Sequence, residues 1–253
     1  MTDPVFRAER GELSAATAGE EFHLTGAEAR HAVTVRRLRA GQSLELVDGE
    51  GTRVAGELMS GEKDAMTVRV TAVAHEPGPA TEFVLVQALA KGDRDLQAAE
   101  SATELGVDRV IPWQADRSIV RLKAERAAKM LGKWQSTLAA AAKQSRRARW
   151  PELADHVNST GLAALIHSAP ATRWFVLHES AQTSWGALRT EELTAAPSIG
   201  LIVGPEGGIS DSELQRFTAA GAHALKLGPE VMRASTAGPA ALAALCALTG
   251  RWD

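Results

Sequence analysis

The spacing of apolar residues changes once along the chain, near His75-Glu76-Pro77-Gly78-Pro79-Ala80. Before this segment, residues 43–73 alternate apolar and polar positions, which is typical of antiparallel strands with one face in solvent. After it, uninterrupted apolar runs alternate with helical patterns, which indicates strands buried on both faces of a mostly parallel sheet. Two prolines and a glycine prevent continued strand pairing. We therefore expect two domains, at residues 1–75 and 76–253.

The first of these patterns predicts a small β-barrel-like domain. Its turns are expected at residues 48–51 and at Gly61, where glycines interrupt the alternation. Thr25 and Glu28 have the spacing of a capping box and predict a short helix ahead of the strands. Two short edge strands are also expected, at residues 5–7 and 21–24.

The second pattern predicts an α/β domain. Its longest helix carries an apolar stripe over residues 127–142 and must end before Pro151. Other helices are expected at residues 93–106 and 236–248. Strands are expected at residues 83–90, 110–111, 174–177, 199–203 and 224–227.

Composition limits the classes of protein that need to be considered. The formal net charge is −3, so any nucleic-acid partner must be bound by local basic patches rather than by a global positive field. The single cysteine, Cys246, excludes a disulfide framework. No apolar run reaches about 18 residues and the N-terminus lacks a signal-peptide pattern, so we expect a cytoplasmic protein without membrane association. No histidine or cysteine spacing predicts a metal site.

One glycine-rich loop follows a predicted strand directly and precedes a predicted helix. It reads Gly204-Pro205-Glu206-Gly207-Gly208, and Ser210 with Glu213 forms a capping-box pattern behind it. Three glycines permit close backbone approach to a ligand. The loop lacks the lysine of a phosphate-binding loop and the spacing of a dinucleotide fingerprint, which disfavours a nucleotide-dependent enzyme. By itself, such a loop is more often a simple tight turn than a ligand site.

The loop belongs to an ordered set of motifs that spans nearly the whole chain. The motifs are Leu89-Ala90-Lys91-Gly92-Asp93-Arg94, Ala102-Thr103-Glu104-Leu105-Gly106-Val107, Arg117-Ser118, Gln144-Ser145-Arg146, Val203 to Gly208, and Leu227-Gly228 through Met232-Arg233. In this order and with an N-terminal barrel, the set resembles the ribosomal RNA small-subunit uridine-N3 methyltransferases of the SPOUT superfamily. The resemblance implies a PUA-like RNA-binding domain followed by a methyltransferase domain with a C-terminal trefoil knot, acting as a homodimer.

The resemblance also implies a cofactor and its site. The cofactor is S-adenosylmethionine, held mainly by backbone groups in loops at the carboxyl ends of the strands. This sequence departs from the family's pattern at Lys143, Glu230 and Ser235. The implied cofactor residues are Leu177, His178, Glu179, Gly204, Gly207, Gly208, Leu227, Gly228 and Met232.

The chemistry of uracil points to arginine as the catalytic residue type. N3 is a weak acid, so its methylation requires proton removal and stabilisation of negative charge on the flanking carbonyl oxygens. Arg233 lies in the third ligand loop and is the first candidate, with Arg94 the second. Asp93 is expected to be a helix N-cap, and Glu206 is expected to orient its loop by accepting backbone amides.

Two basic clusters suggest contact with RNA phosphates. The first surrounds residues 30–39 and the second residues 143–149, and each is also compatible with a solvated helix face. The expected partner is 16S ribosomal RNA in the small ribosomal subunit. The alternatives are the same architecture acting on another ribosomal or transfer RNA site, and a non-catalytic RNA-binding assembly factor. The candidate RNA-binding residues are Arg30, Arg36, Arg37, Arg146 and Arg147.

Overall fold

The computed structural model describes residues 3–121 and 124–252. The chain forms two compact units. The first runs up to Gly78 and includes Ala142–Trp150; the second comprises Pro79–Ala141 and the chain from Pro151 onward. The predicted boundary after residue 75 therefore lies three residues early, and the prediction missed the return segment, residues 142–150. The spacing of apolar residues depends on local secondary structure. It therefore cannot show that a segment packs against a unit formed by a distant part of the chain.

The first unit is built on a sheet with strand order β1-β3-β4-β5-β2. β1 pairs with β3 in parallel, and the other pairs are antiparallel. A short helix, α1, continues into one π-helical turn at His31–Val35. The alternation predicted from sequence packs one face of the sheet into a core around Phe6, Leu46 and Val68. The elements are β1 (Val5–Arg7), β2 (Glu21–Thr25), α1 (Ala27–Arg30), β3 (Ser43–Val47), β4 (Thr52–Glu62) and β5 (Ala65–His75).

Two local predictions in this unit were wrong. Gly61 lies inside β4, and the hairpin turns at residues 63–64 instead. Thr25 is the last residue of β2, and α1 begins after Gly26 without a side-chain cap. The Glu28 carboxylate is engaged elsewhere, because it accepts a hydrogen bond from the Arg7 backbone N–H at 3.1 Å.

The return segment is fixed to the first unit by hydrogen bonds and ring packing. The Arg149 guanidinium donates to the carbonyl oxygen of Glu76, at 2.8 Å from Nη2. The Trp150 ring covers Gly49, where a Cβ atom would lie 2.4 Å from the ring. The Arg7 guanidinium lies 4.1 Å from the centre of the same ring. Residues 142–150 are therefore an integral part of this unit.

The second unit contains a sheet of strand order β12-β10-β11-β6-β7-β8, with β9 also paired to β7. All of these pairs are parallel. No helix of the described residues is long and apolar enough to cross a membrane. The elements are β6 (Glu82–Ala88), α2 (Arg94–Leu105), β7 (Arg109–Gln114), α3 (Ala124–Gln144), β8 (Glu152–Leu153), β9 (Val157–Asn158), α4 (Ser159–Ser168), β10 (Thr172–Leu177), α5 (Thr190–Thr194), β11 (Ser198–Val203), α6 (Asp211–Ala219), β12 (His223–Leu225) and α7 (Ala234–Thr249).

Each face of this sheet has its own core. One core contains apolar residues of α2, α3 and α7, including Trp134, and the other contains Trp113 and residues of α4 and α6. The predicted strands are confirmed, although β7 is longer than expected and β12 ends at Leu225, two residues early. Because the strands are parallel, the loops after β6, β10, β11 and β12 all emerge at one edge of the sheet.

Candidate active site

A cavity of about 400 Å³ lies at this edge of the sheet. Its walls are the loops after β10, β11 and β12, the first turn of α7, and Arg94 at the start of α2. A neighbouring cavity of about 120 Å³ shares Leu177, His178 and Met232 with it. All nine residues expected to bind the cofactor line one or both cavities. The larger contains Gly204, Gly207 and Gly208, the smaller contains Leu227 and Gly228, and both contain Leu177, His178, Glu179 and Met232.

The glycine loop has the close packing that its sequence predicts. A Cβ atom on Gly204 would lie 2.7 Å from Cγ1 of Ile209. Gly208 has a φ of +71°, which favours glycine, and its N–H donates to the carbonyl oxygen of Pro205 at 2.9 Å. Within the described residues, the N–H groups of Glu206 and Gly207 donate to no protein group. The loop can therefore offer backbone donors to a ligand.

The capping box behind the loop is confirmed, and it does more than cap α6. The buried Glu213 carboxylate accepts from the Asp116 N–H at 2.7 Å and from the Ser159 hydroxyl at 2.6 Å. It also accepts from the Ser210 N–H at 2.9 Å. Burial alone would raise the pKa of Glu213, but these hydrogen bonds outweigh it and lower the pKa. One carboxylate thus joins the glycine loop to the turn after β7 and to α4.

Two arginines hold the glycine loop from outside. Arg94 donates to the Glu206 carboxylate at 3.1 Å, and Arg117 donates to the Gly207 carbonyl oxygen at 3.2 Å. A Cβ atom on Gly207 would lie 3.1 Å from Cβ of Arg117. The expectation that Glu206 accepts backbone amides was wrong, because its oxygen pairs with the Arg94 side chain. Arg117 was noticed in the sequence only as part of a motif, since its contact with Gly207 joins positions 90 residues apart.

The two aspartates that flank Arg94 have separate roles. Asp93 occupies the predicted N-cap position of α2 but does not cap the helix with its side chain, and no role was predicted for Asp95. Asp93 precedes α2 with a φ of +58° and makes no capping hydrogen bond; its carboxylate pairs with Lys133 at 2.7 Å. Asp95 is buried and accepts from the N–H groups of Ala90 and Leu96. Burial raises the pKa of Asp95. Asp95 therefore fixes the loop after β6, and sequence inspection missed it because it resembles an ordinary first-turn helix residue.

Arg233 occupies the N-cap position of α7 and lines the larger cavity. Its carbonyl oxygen accepts from Thr236 and Ala237, which anchors the backbone. Its side chain is exposed, and no ion pair or hydrogen bond engages its guanidinium within the described residues. Arg233 is thus the cavity arginine with free donors, whereas Arg94 is already paired.

Comparison with known proteins identifies the family. A model described as an RNA methyltransferase domain matches residues 77–246, and one described as an RNA methyltransferase PUA domain matches residues 24–71. The ribosomal RNA small subunit methyltransferase E of Mycobacterium bovis is 39% identical over 232 residues, covering 90% of this chain and 87% of the relative. The chain belongs to the ribosomal RNA small subunit methyltransferase E family.

More distant members of the methyltransferase E family agree in sequence and fold. The Bacillus subtilis relative is 29% identical over 88% of this chain and 89% of its own length. A crystal structure of the Neisseria gonorrhoeae relative, bound to S-adenosylmethionine, superposes with a TM-score of 0.85 at 27% identity, covering 98% of both chains. The similarity therefore extends over both units of this family member.

The first predicted basic cluster of this methyltransferase E family member is exposed. Arg30, Arg36 and Arg37 project into solvent. Arg36 and Arg37 line a concavity of about 540 Å³ together with Arg39. Arg37 has a φ of +55°, a conformation that glycine adopts more readily than arginine does. The structure thus presents three arginines around one concavity.

The basic residues of the second predicted cluster are half-buried and bound to other groups of their own unit. Lys143 forms an ion pair with Glu28 at 2.6 Å, and Arg149 is bound to backbone carbonyl groups. Arg146 and Arg147 are half-buried, and Arg146 donates to the Asp3 carbonyl oxygen. Arg36, Lys143 and Arg146 also line a second concavity, of about 340 Å³. This cluster is therefore not the solvated helix face that was one interpretation of its sequence.

The three departures from the family's pattern have separate surroundings. Lys143 is engaged in the ion pair with Glu28, Glu230 is exposed at the smaller cavity, and Ser235 is half-buried in the first turn of α7.

Over residues 3–121 and 124–252, no three histidine, cysteine or acidic side chains are grouped as metal ligands would be.

Proposed function

We propose that this protein transfers a methyl group from S-adenosylmethionine to N3 of a uridine in 16S ribosomal RNA, acting on the assembled small subunit. The observation that carries the proposal is the 400 Å³ cavity, which is lined both by the glycine loop and by Arg233. Membership of the methyltransferase E family supports the substrate class.

The residues around the cavity fit this cofactor. A volume of about 400 Å³ lies within the range of small-molecule sites, roughly 300–1,000 Å³. The free N–H groups of Glu206 and Gly207 suit its polar groups, and Leu177 and Met232 suit its apolar surfaces. When bound, the cofactor supplies an electrophilic methyl group on a sulfonium. The proposed binding residues are Leu177, His178, Glu179, Gly204, Gly207, Gly208, Leu227, Gly228 and Met232.

Arg233 is the proposed catalytic residue. Loss of the N3 proton to solvent places negative charge on the two flanking carbonyl oxygens of uracil, and this charge persists until N3 bonds to the methyl group and the sulfonium becomes a neutral thioether. A guanidinium offers parallel donors that stabilise such charge, most strongly where water is excluded. Arg233 has these donors available, whereas Arg94 shares its charge with Glu206. Arg94 is the second candidate, and its pairing with Glu206 favours a role in holding the loop.

The first unit is proposed to hold the RNA. Arg30, Arg36 and Arg37 would contact phosphates, as would Arg146 and Arg147 of the return segment. Such contacts position RNA without reading its sequence. The target uridine must leave its stack, since N3 lies on the Watson–Crick edge of a paired base.

Finer features of the architecture belong to the same proposal. The first unit is proposed to be a PUA-like β-barrel, because residues 24–71 match a PUA-domain model. The second is proposed to contain the SPOUT trefoil knot at its C-terminal end and to form a homodimer. A ribosomal substrate implies a reaction in the cytoplasm.

Reverse-transcriptase mapping tests the proposal directly. The protein is incubated with S-adenosylmethionine and small subunits that lack the modification, and the RNA is then copied. A methyl group at N3 blocks base pairing, so we expect one cofactor-dependent stop at a uridine. Transfer of labelled methyl to RNA without a stop would indicate a ribose or another base instead. RNA binding without any transfer would indicate a non-catalytic assembly factor.

A further inference from the structure

His178 follows the last residue of β10 and is held at both its backbone and its ring. Its backbone N–H donates to the Leu225 carbonyl oxygen at 3.0 Å, which continues the pairing with β12. Its ring Nδ1 accepts from the Ser180 backbone N–H at 3.2 Å and lies 2.8 Å from the Ser180 hydroxyl oxygen. The ring therefore has a fixed position at the wall of both cavities.

These contacts determine which ring nitrogen carries the proton. A backbone N–H can only donate, so Nδ1 must present its lone pair to Ser180. The Ser180 hydroxyl can donate to the same lone pair. In the neutral imidazole the other nitrogen then carries the hydrogen. His178 is thus an N–H donor at Nε2 and does not offer a base there.

We propose that His178 binds the cofactor through its side chain, by donating its Nε2–H to a hydrogen-bond acceptor of the bound cofactor. The inference rests on the proposed function and adds a side-chain contact to a site otherwise formed by backbone groups. The acceptors of S-adenosylmethionine lie in two parts of the molecule: the carboxylate of its methionine portion, and its nucleoside, with the ring nitrogens of adenine and the oxygens of the ribose. Either of these acceptors satisfies the donor.

Substitution of His178 by asparagine or by glutamine distinguishes this role from a purely structural one. The asparagine amide reaches the position of Nδ1, so His178→Asn keeps an acceptor for Ser180 but loses the donor at Nε2. The glutamine amide reaches the position of Nε2, so His178→Gln keeps that donor but loses the contact with Ser180. If the histidine only holds the loop through Ser180, His178→Gln should weaken cofactor binding more than His178→Asn does. If it donates to the cofactor as proposed, His178→Asn should weaken binding more.

The experiment measures the affinity of the full chain for S-adenosylhomocysteine by titration calorimetry. We expect His178→Asn to weaken binding about 3- to 10-fold, as the loss of one hydrogen bond does, and His178→Gln to remain within about 2-fold of the unaltered protein. The ¹⁵N spectrum of the unaltered ring should show the proton on Nε2. A proton on Nδ1, or equal affinities of His178→Asn and the unaltered protein, would overturn this inference but not the proposed function.

A second ligand identifies the acceptor. 5′-Methylthioadenosine lacks the carboxylate. If His178→Asn weakens the binding of S-adenosylhomocysteine but not that of 5′-methylthioadenosine, the contact is with the carboxylate. An equal effect on both ligands assigns it to the nucleoside, which both ligands contain. Failure of the unaltered protein to bind either ligand would overturn the proposed function together with the inference, which distinguishes it from the outcomes above.

Discussion

Replacing Arg37 with glycine should leave the fold as stable as before, or more stable, while weakening RNA binding. Arg37 is exposed, has a φ of +55° and lines the concavity of about 540 Å³. A side chain held in this region is strained by about 1–2 kcal/mol, whereas glycine is not. Glycine also loses roughly 0.5–1 kcal/mol more backbone entropy on folding. The two effects nearly cancel or leave a small net gain.

Substitution of Arg37 by alanine distinguishes the effect of backbone strain from the effect of the lost charge. Arg37→Ala removes the guanidinium but keeps the left-handed backbone, so it should be about 1 kcal/mol less stable than Arg37→Gly. In a chain of this size that difference corresponds to roughly 2–4 °C in Tm. Both variants should lose the same RNA affinity, because both lose one cationic group.

The assays are thermal unfolding and RNA binding over a range of salt concentrations. Loss of one phosphate contact should reduce the slope of log affinity against log salt by about 1 in both variants. Arg69, exposed on β5 and outside both concavities, is the matched control, and Arg69→Ala should leave the slope unchanged. Unchanged slopes in the Arg37 variants would refute the RNA contact, and Arg37→Gly less stable than Arg37→Ala would refute the strain argument.

Three further outcomes are expected. Arg233→Ala should lower kcat by 10²-fold or more at nearly constant cofactor affinity, since its donors act on charge formed in the transition state; unaltered single-turnover rates would remove it from catalysis. Glu213→Gln should destabilise the fold by about 1–3 kcal/mol at neutral pH in urea unfolding. Because folding lowers this pKa, the difference should be present above the ordinary value of 4.5 and diminish as pH falls through the folded-state pKa; a difference independent of pH would contradict the role of the ionised carboxylate. Gly207→Val should reduce cofactor affinity, because a Cβ atom at this position already lies 3.1 Å from Cβ and 3.3 Å from the carbonyl oxygen of Arg117, and the larger side chain would force the loop to move; an affinity for S-adenosylhomocysteine equal to that of the unaltered protein in titration calorimetry would show that this close approach does not matter for binding.

The sequence predicted most of the second unit because its strands are buried on both faces. Continuous apolar runs such as those of β6 and β11 stand out from the helical patterns between them. The ends of elements were less predictable. Gly61 resembled a turn because glycine is common in turns, yet it lies in β4 where a Cβ atom would be 2.6 Å from Val33. The reason for that glycine is a contact with a residue distant in sequence.

The candidate site was predictable where backbone and loop position determine it. The nine predicted cofactor residues lie together because the carboxyl ends of parallel strands share one edge. The partners of individual side chains could not be predicted as well from the sequence. Neither the pairing of Arg94 with Glu206 nor that of Arg117 with Gly207 leaves a periodic signal, since each joins residues about a hundred positions apart. Charge runs alone also could not distinguish Lys143, held in an ion pair, from the exposed Arg36.

The return segment has a consequence for biosynthesis. During translation the N-terminal unit emerges first, but it lacks Arg149 and Trp150 until the chain has grown to residue 150. Until then, Gly49 is without its ring and the carbonyl oxygen of Glu76 is without its guanidinium donor. This unit can therefore complete its folding only after residues 79–141 of the other unit have been made, and those residues must wait unpaired until the chain from Pro151 onward follows.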